Sequence, residues 1–270
     1  MAGLPHVIDV IHQLATILET YTPVVVWASG GKDSLTLLHL LQPWATRVTV
    51  LFNDVDGEWP GVQENLRACL MTWGFEPPHV IHPLITYEAY VAQYGYPMEL
   101  VPCVMDGAGF ESPFYVGGAK VSSWMQCTVQ RFVLPILAAS MALKAHAVIT
   151  GSRSSDAPAF LRMGRVLDAS MVTGFVRYNP LIHWTTEQVY AYVDAHAIPL
   201  PAHYAWKRHA TYDVPDCMGC TWFPQHWQTL KDLYPHFYAE HWPDVAPVYR
   251  EVKQHLDQYQ QSLNMLPEVP

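Results

Sequence analysis

The stretch that decides the fold reads VVVWASGGKDS and covers residues 24–34. Its first five residues are apolar and predict a buried strand, and the leucine-rich run that starts at Leu35 predicts a helix. Two glycines separate the strand from the helix. A strand that ends in a Gly-Gly pair ahead of a helix is typical of a loop that binds phosphate.

The residues between this strand and helix offer several kinds of anion donor. Gly30 and Gly31 let backbone N–H groups approach an anion without a Cβ in the way. Ser29 and Ser34 add hydroxyl groups, Lys32 adds a positive charge, and the helix directs the positive end of its dipole to the same place. The stretch therefore predicts a phosphate-binding loop, with a plain Gly-Gly turn as the alternative interpretation.

Apolar periodicity predicts further strands and helices in alternation, which implies an α/β fold with a doubly wound, mostly parallel sheet. A capping box at Thr185–Gln188 opens one of the later helices. Residues 95–118 break the pattern and indicate a functional loop or insertion. We expect an α/β domain over residues 1–200 and a cysteine-containing C-terminal extension over residues 201–270. The predicted strands cover residues 24–28, 47–52, 79–82 and 147–150, and the predicted helices cover 6–21, 33–41, 60–73, 122–145, 185–196 and 245–263.

The composition excludes some classes of protein. The chain has 270 residues, half of them apolar, and can bury a large core. A net charge of −9 without any run of Lys or Arg argues against a protein that grips duplex nucleic acid through charge alone. Positive charge is concentrated between residues 131 and 208, where an anionic ligand could use it. Neither a signal peptide nor a membrane span is recognisable, so we expect a soluble, cytoplasmic protein.

The cysteines form a second group of candidate functional residues. Cys217 and Cys220 have a spacing that lets two thiolates converge on one metal, and Cys103 and Cys127 are the candidates for the remaining ligands. Cys69 lies on the apolar face of a predicted helix and is better explained as part of the core. Four ligands would make an iron–sulfur cluster or a zinc site, and buried or redox-active thiols without metal are the third alternative.

The neighbourhood of Cys127 predicts an electrostatic partner for its thiol. Arg131 follows four residues later and lies on the same face of the predicted helix. A guanidinium beside a thiol is expected to lower the pKa of that thiol. Pro135 removes the helical hydrogen bond to the Arg131 carbonyl, so we expect a kink there.

The loop resembles the Ser-Gly-Gly-x-Asp-Ser pyrophosphate loop of the adenine-nucleotide α-hydrolase superfamily, and all six positions match. Four looser motifs occur in the right order and resemble the phosphoadenosine-phosphosulfate-reductase-like branch, and the resemblance covers about residues 20–225. The basic residue of the second motif is displaced by one position, and the first has Val55-Asp56 in place of Thr-Gly. These motifs lie at residues 52–60, 127–135, 151–156 and 179–184.

The resemblance implies a nucleotide site. Lys32, Asp33 and Arg153 would be its catalytic residues, and Asp54 would lie near the adenosine or a Mg²⁺ ion. A surface arginine and a turn aspartate are the plain alternatives for Arg153 and Asp54. The residues that would bind ATP or the equivalent part of a sulfonucleotide are Ser29, Gly30, Gly31, Lys32, Asp33, Ser34, Asp54, Gly151 and Arg153.

The resemblance also implies a reaction. We expect an ATP pyrophosphatase that adenylates an acceptor and works in sulfur transfer with Mg²⁺ and a 4Fe-4S cluster, with zinc as the alternative metal. No cysteine follows Cys220 in the sequence, whereas sulfonucleotide reductases use one near the C-terminus, so a reductase with an external thiol is the second hypothesis. A flavin adenylyltransferase is a weaker enzyme alternative, and a non-catalytic nucleotide-binding subunit with structural zinc is the alternative from another class.

The expected partners are a nucleotide, an acceptor that is a small molecule or a nucleic acid, and a sulfur donor or thiol protein. No membrane partner is expected. Self-association into a homo-oligomer stays open.

Overall fold

The computed structural model describes residues 7–98, 114–154, 174–210, 214–221 and 224–264. Its helices are α1 Val7–Thr20, α2 Lys32–Leu41, α3 Val62–Thr72, α4 Tyr87–Tyr94, α5 Trp124–Thr128, α6 Leu134–Ala142, α7 Thr186–Ala195, α8 Tyr204–Lys207, α9 Pro224–Leu233 and α10 Pro235–Asn264. Its strands are β1 Val24–Ala28, β2 Val48–Asn53, β3 His79–Ile81, β4 Tyr96–Met98, β5 Phe114–Val116, β6 Ala119–Ser123, β7 Ala147–Thr150 and β8 Val176–Tyr178.

Five strands form one parallel sheet in the order β3-β2-β1-β7-β8. The chain winds outward from β1 in both directions, first through β2 and β3 and then through β7 and β8. This arrangement confirms the predicted α/β fold with a doubly wound parallel sheet. Every residue of β1 and β7 is buried, as expected for central strands of a sheet with helices on its faces.

One apolar cluster shows how a helix covers the sheet. Val25, Trp27 and Leu51 pack with Ile136 of α6 and with Val148. The indole Nε1 of Trp27 also donates a hydrogen bond to Ser140 Oγ of α6 at 2.9 Å. The face of the sheet that carries Trp27 is therefore the face that α6 covers.

The chain packs as two compact units that interleave in sequence. Unit 1 consists of Met1–Pro83 and Val133–His209 and contains the five-stranded sheet. Unit 2 consists of Leu84–Phe132 and Ala210–Pro270 and contains a three-stranded sheet in the order β4-β6-β5, against which α10 packs through Val252. The expected domain boundary at residue 200 stays a prediction.

The long helix predicted over residues 122–145 is wrong in its form. Residues 119–123 are strand β6, and the helical part is divided into α5, a π-helical turn at Val129–Val133, and α6. Pro135 is the second residue after the turn and has no N–H for the carbonyl of Arg131. Loss of that bond favours the wider turn in place of a regular α-helix.

Other boundaries differ from the sequence prediction in instructive ways. The final helix begins at Pro235, ten residues before the predicted start, and continues through Pro243 and Pro247. Strand β8 was not predicted, because Arg177 interrupts its short apolar stretch. The capping box at Thr185 is confirmed, with reciprocal bonds to Gln188.

In the part of the chain that the structure describes, no helix is both long and apolar enough to cross a membrane.

Candidate functional site

The phosphate loop connects β1 to α2, and its two glycines are required for different reasons. Gly30 has φ +73°, and a Cβ there would lie 2.6 Å from Val62 Cγ1. Gly31 has an ordinary φ, but a Cβ on it would lie 2.9 Å from the hydroxyl of Tyr204. Backbone conformation therefore favours glycine at the first position, and the close approach of Tyr204 requires it at the second.

The first turn of α2 begins directly at this loop and carries no side-chain cap. Its N-cap residue is Gly31, whose carbonyl accepts a hydrogen bond from Ser34 Oγ at 3.0 Å. The backbone N–H of Lys32 donates to Tyr204 Oη at 3.0 Å. Apart from this contact of Tyr204, the helix end has no side-chain cap from its N-cap residue and presents a positive partial charge to an anion.

Two cations of the candidate site meet at one carboxylate. Lys32 Nζ lies 2.6 Å from Asp33 Oδ2, and Arg153 Nε lies 2.8 Å from Asp33 Oδ1. The second contact is an ion pair without hydrogen-bond alignment. Arg153 is only 5% exposed and is held from the other side by Nη1, which donates to Thr186 Oγ1 at 3.0 Å. A fixed arginine and a lysine thus face the start of α2 with Asp33 between them.

Gly151, at the end of β7, lets Arg153 reach this position. A Cβ on Gly151 would lie 2.9 Å from both the carbonyl carbon and the oxygen of Asp33, and 3.0 Å from Ser34 N. These are backbone atoms of α2 that cannot rotate away. The end of β7 and the start of α2 therefore approach each other as closely as a glycine permits.

Two tyrosines of the site were not among the predicted site residues. Tyr204 accepts the N–H of Lys32, and the ring of Tyr190 lies 5.9 Å from Lys32 Nζ. Burial raises the pKa of Tyr190, with the charges of Arg208 and Arg153 opposing that rise and Asp33 adding to it. A signal for Tyr190 existed in the helical period, because Thr186 and Tyr190 are four residues apart on α7. Nothing local pointed to the contact of Tyr204.

Asp54 lies directly after β2, as predicted, but its described contacts are to its own neighbourhood. Its Oδ1 accepts from Asp56 N at 3.0 Å, and its Oδ2 lies 3.2 Å from Nδ1 of His82. These contacts fit a turn aspartate, and its role toward a nucleotide stays a prediction.

The cysteine group is located in unit 2. Burial raises the pKa of Cys127, and Arg131 opposes that rise through its charge and a hydrogen bond. Arg131 therefore lowers the thiol pKa of Cys127 as expected, but burial has the larger effect and the net pKa is raised. Burial likewise raises the pKa of Cys217, with further contributions from Cys220 and Cys127, so these thiols share one neighbourhood.

Arg131 is tightly held beside these thiols. It is only 3% exposed, Nε donates to the Ile85 carbonyl at 3.3 Å, and its guanidinium lies 5.1 Å from the ring centre of Tyr87. A fixed cation next to several thiols would favour their ionised forms once a metal binds them.

The thiols of the described residues do not by themselves complete a metal site. Within the described ranges, no group of three or more Cys, His, Asp or Glu side chains is arranged to hold a metal ion. Cys103 lies outside the described residues. Cys69 is 2% exposed in unit 1 and burial raises its pKa to about 11, in agreement with its interpretation as a core residue.

The chain is similar in sequence and in fold to proteins of known activity. The phosphoadenosine phosphosulfate reductase of Saccharomyces cerevisiae is 39% identical over 57 residues, which are 21% of this chain and 22% of the yeast protein. Among solved structures, phosphoadenylyl-sulfate (PAPS) reductase from Candida auris, in a phosphate complex, is similar with a TM-score of 0.52 and 19% identity. That similarity covers 77% of this chain and 87% of the other, and it concerns the fold.

A looser similarity is to the U34-tRNA thiolase NcsA from Methanococcus maripaludis, solved with its 4Fe-4S cluster. It has a TM-score of 0.46 and 15% identity over 97% of this chain and 81% of the thiolase. A family model described as the phosphoadenosine phosphosulfate reductase domain matches residues 23–221. Because this match covers more than half of the sequence, the chain belongs to the phosphoadenosine phosphosulfate reductase domain family.

Proposed function

We propose that this protein cleaves ATP between its α- and β-phosphates and transfers AMP to an oxygen atom of an acceptor. The observation that carries the proposal is the set of anion donors at the start of α2. The helix begins directly after Gly30 and Gly31, and Lys32 and the buried Arg153 both pair with Asp33 in its first turn. Such donors suit the negative charge that develops on a leaving pyrophosphate.

In the proposed reaction, the acceptor oxygen attacks the α-phosphorus while the bond from that phosphorus to the bridging oxygen breaks. Pyrophosphate leaves with the electron pair of the broken bond. Lys32 and Arg153 pair with Asp33 in the protein without ligand, so the incoming phosphates would replace this carboxylate as their partner. Mg²⁺ would arrive on the phosphate oxygens of ATP, which normally supply several of its ligands.

A sulfur nucleophile from a separate donor would then displace AMP from the activated acceptor. For this second stage we propose a 4Fe-4S cluster on Cys103, Cys127, Cys217 and Cys220, with zinc as the alternative metal. Such a cluster would bind sulfide or mediate sulfur transfer when present. The adenylation proposed above involves none of these thiols and therefore does not depend on the cluster.

The test is to incubate the purified protein with ATP and Mg²⁺, with and without candidate acceptors, and to measure pyrophosphate and AMP. The proposal expects pyrophosphate in an amount equal to the sum of free AMP and AMP bound to the acceptor, and the loss of both products in the Lys32→Ala variant. Release of ADP and phosphate would contradict the proposed bond cleavage, and unchanged turnover in the variant would contradict the proposed site.

The family match favours a second candidate, reduction of a sulfonucleotide by an external thiol. In that reaction a thiolate would attack the sulfate sulfur and release the nucleotide, and a second thiol would release sulfite and leave a disulfide. This activity would consume phosphoadenosine phosphosulfate in the presence of a dithiol and would need no ATP. Pyrophosphate release from ATP and sulfite release from the sulfonucleotide therefore separate the two candidates.

A further inference from the structure

A second polar patch lies on unit 1, on the face of the sheet that α6 covers. Arg177 of β8 is paired in register with Val148 of β7, and Val148 is paired with Val25 of β1. Residues in register on parallel strands point to the same face. Arg177 therefore shares a face with Val25 and Trp27.

The side chain of Arg177 crosses over β7, because β7 separates β8 from β1. Its guanidinium carbon lies 5.3 Å from the ring centre of Trp27 on β1. Nη2 donates to Ser152 Oγ at 3.3 Å, and Ser152 Oγ lies 2.9 Å from the hydroxyl of Thr150. The guanidinium is therefore located above the carboxyl end of β7, the end at which such sheets bind ligands.

The charge of Arg177 is not balanced within the described part of the chain. No carboxylate there forms an ion pair with it, and burial alone lowers its pKa. Its Nε is buried and has no hydrogen-bond partner in the same residues. Stacking on Trp27 contributes some attraction but satisfies no N–H group. A half-buried guanidinium without a counterion is costly and favours binding of an anion.

Asn53 provides a second, independent observation at the carboxyl end of the same sheet. It is the last residue of β2 and lies two positions beyond Leu51, which is in register with Trp27. Asn53 therefore points to the face that also carries Trp27 and Arg177. It is 2% exposed, and neither its amide nitrogen nor its amide oxygen has a partner among the described residues. A buried amide without partners is unusual in a folded protein unless a ligand or water completes it.

We propose that Arg177, Ser152 and Asn53 form an oxyanion site that binds a carboxylate, sulfate or phosphate group of a ligand. We name these three residues the oxyanion patch. The patch uses none of the residues of the phosphate loop, and it does not require that ATP is cleaved. The anion has two sources: a further phosphate on the nucleotide, or an acidic group on the acceptor.

The test uses inorganic sulfate as the probe and thermal unfolding as the measurement, at constant ionic strength set with chloride. A ligand that binds only the native state raises the melting temperature in a saturable way. In the wild type, the oxyanion patch and the phosphate loop should each contribute to the rise of the melting temperature with sulfate. We expect Arg177→Gln to lose the contribution of the patch, Lys32→Ala to lose that of the loop, and the double variant to lose both. Arg67→Gln is the matched control, since Arg67 is an exposed arginine on α3. A sulfate response of Arg177→Gln equal to that of the wild type would overturn the proposal.

Asn53→Asp keeps the test decisive if Arg177→Gln does not fold. A carboxylate at this position would repel sulfate and supply the missing negative charge, so we expect at least about tenfold weaker sulfate binding at the patch. An unchanged sulfate affinity in this variant would contradict the proposal. If Lys32→Ala loses the whole sulfate-dependent rise of the melting temperature and the Arg177 and Asn53 variants lose none of it, the phosphate loop is the sulfate site and the proposal is contradicted.

Calorimetric titrations with AMP and with adenosine 3′,5′-bisphosphate distinguish the two sources of the anion. If the nucleotide supplies it, the wild type prefers the bisphosphate by about tenfold or more, and Arg177→Gln removes the preference. If the acceptor supplies it, the wild type shows no preference while its sulfate increment still depends on Arg177. Neither outcome depends on pyrophosphate release, so failure of the oxyanion patch and failure of the proposed adenylation are distinguishable.

Discussion

The phosphate loop takes its candidate side chains from one continuous segment, whereas the cysteine group takes its candidates from distant segments. The loop takes six consecutive residues, 29–34, from the junction of one strand and one helix. The cysteine group takes Cys127 from α5 and Cys217 and Cys220 from a segment far along the chain. The first arrangement is fixed by local backbone geometry, whereas the second exists only after distant segments have packed. The comparison teaches that a contiguous motif can be recognised as a site from sequence, but a dispersed one only as a set of candidates.

The largest expected effect concerns the loop. We expect Lys32→Ala to reduce pyrophosphate release by about 10²–10³-fold, because one positioned donor at a developing charge has an effect of this size. The fold should be retained, since the ion pair that Lys32 forms is with the adjacent Asp33 and joins no distant elements. The control is Lys253→Ala, which removes an exposed lysine paired with Asp257. Pyrophosphate release within a few-fold of the wild type would show that the loop is not the reacting site.

The second prediction concerns the dispersed cysteines. If one metal joins them, Cys127→Ser and Cys217→Ser should each lose most of the metal that the wild type binds, as measured by elemental analysis and the visible spectrum of anaerobically purified protein. Cys69→Ala is the control, because Cys69 is a buried residue of unit 1. Loss of metal in only one of the two serine variants would separate the cysteines into different sites.

The third prediction sharpens the role of backbone geometry at the loop. Gly151→Ala places a methyl group 2.9 Å from backbone atoms of Asp33, so the start of α2 must shift. We expect ATP affinity to fall by about tenfold and the free energy of unfolding to fall by about 1–3 kcal/mol. Gly118→Ala is the matched control, because its added methyl group would lie 3.6 Å from Glu251 Oε1, an ordinary contact. Equal ATP affinities in the two variants would contradict the tight approach of β7 and α2.

The smallest expected effect at neutral pH is a dependence of stability on pH in unit 1, which grows only on acidification. His203 is 4% exposed, its ring stacks on Trp59, and burial followed by the charge of Lys207 lowers its pKa to about 3. Between pH 6.5 and about 3, the unfolded chain binds a proton there that the folded chain does not. Stability should therefore fall as the pH drops through this range, by at most about 1.4 kcal/mol per pH unit.

The pH effect is tested by the melting temperature of His203→Gln against that of the wild type. The variant should show a flatter acid limb, whereas His183→Gln, which replaces an exposed histidine, should follow the wild type. Parallel acid limbs in His203→Gln and the wild type would contradict the burial argument.

Much of unit 1 could be predicted from the sequence. Strand β7 and the capping box of α7 were predicted to the residue, because apolar runs and capping side chains act locally. Near Pro135 the lost helical bond and a kink could be predicted, but the π-helical form of the turn could not, since that form depends on packing. The hydrogen bond from Lys32 to Tyr204 could not be predicted either, because it joins residues that are 172 positions apart.

The sequence by itself determined the parallel α/β fold, the Gly-Gly loop between β1 and α2, and the family to which the chain belongs, because each is encoded in local patterns of glycine, charge and apolar residues. Only the tertiary structure decided which side chains meet: Arg153 with Asp33, Tyr204 with Lys32, and Arg177 with Trp27. The physical reason is that charge pairing and desolvation depend on distances through space. Those distances exist only once the strands have assembled into a sheet.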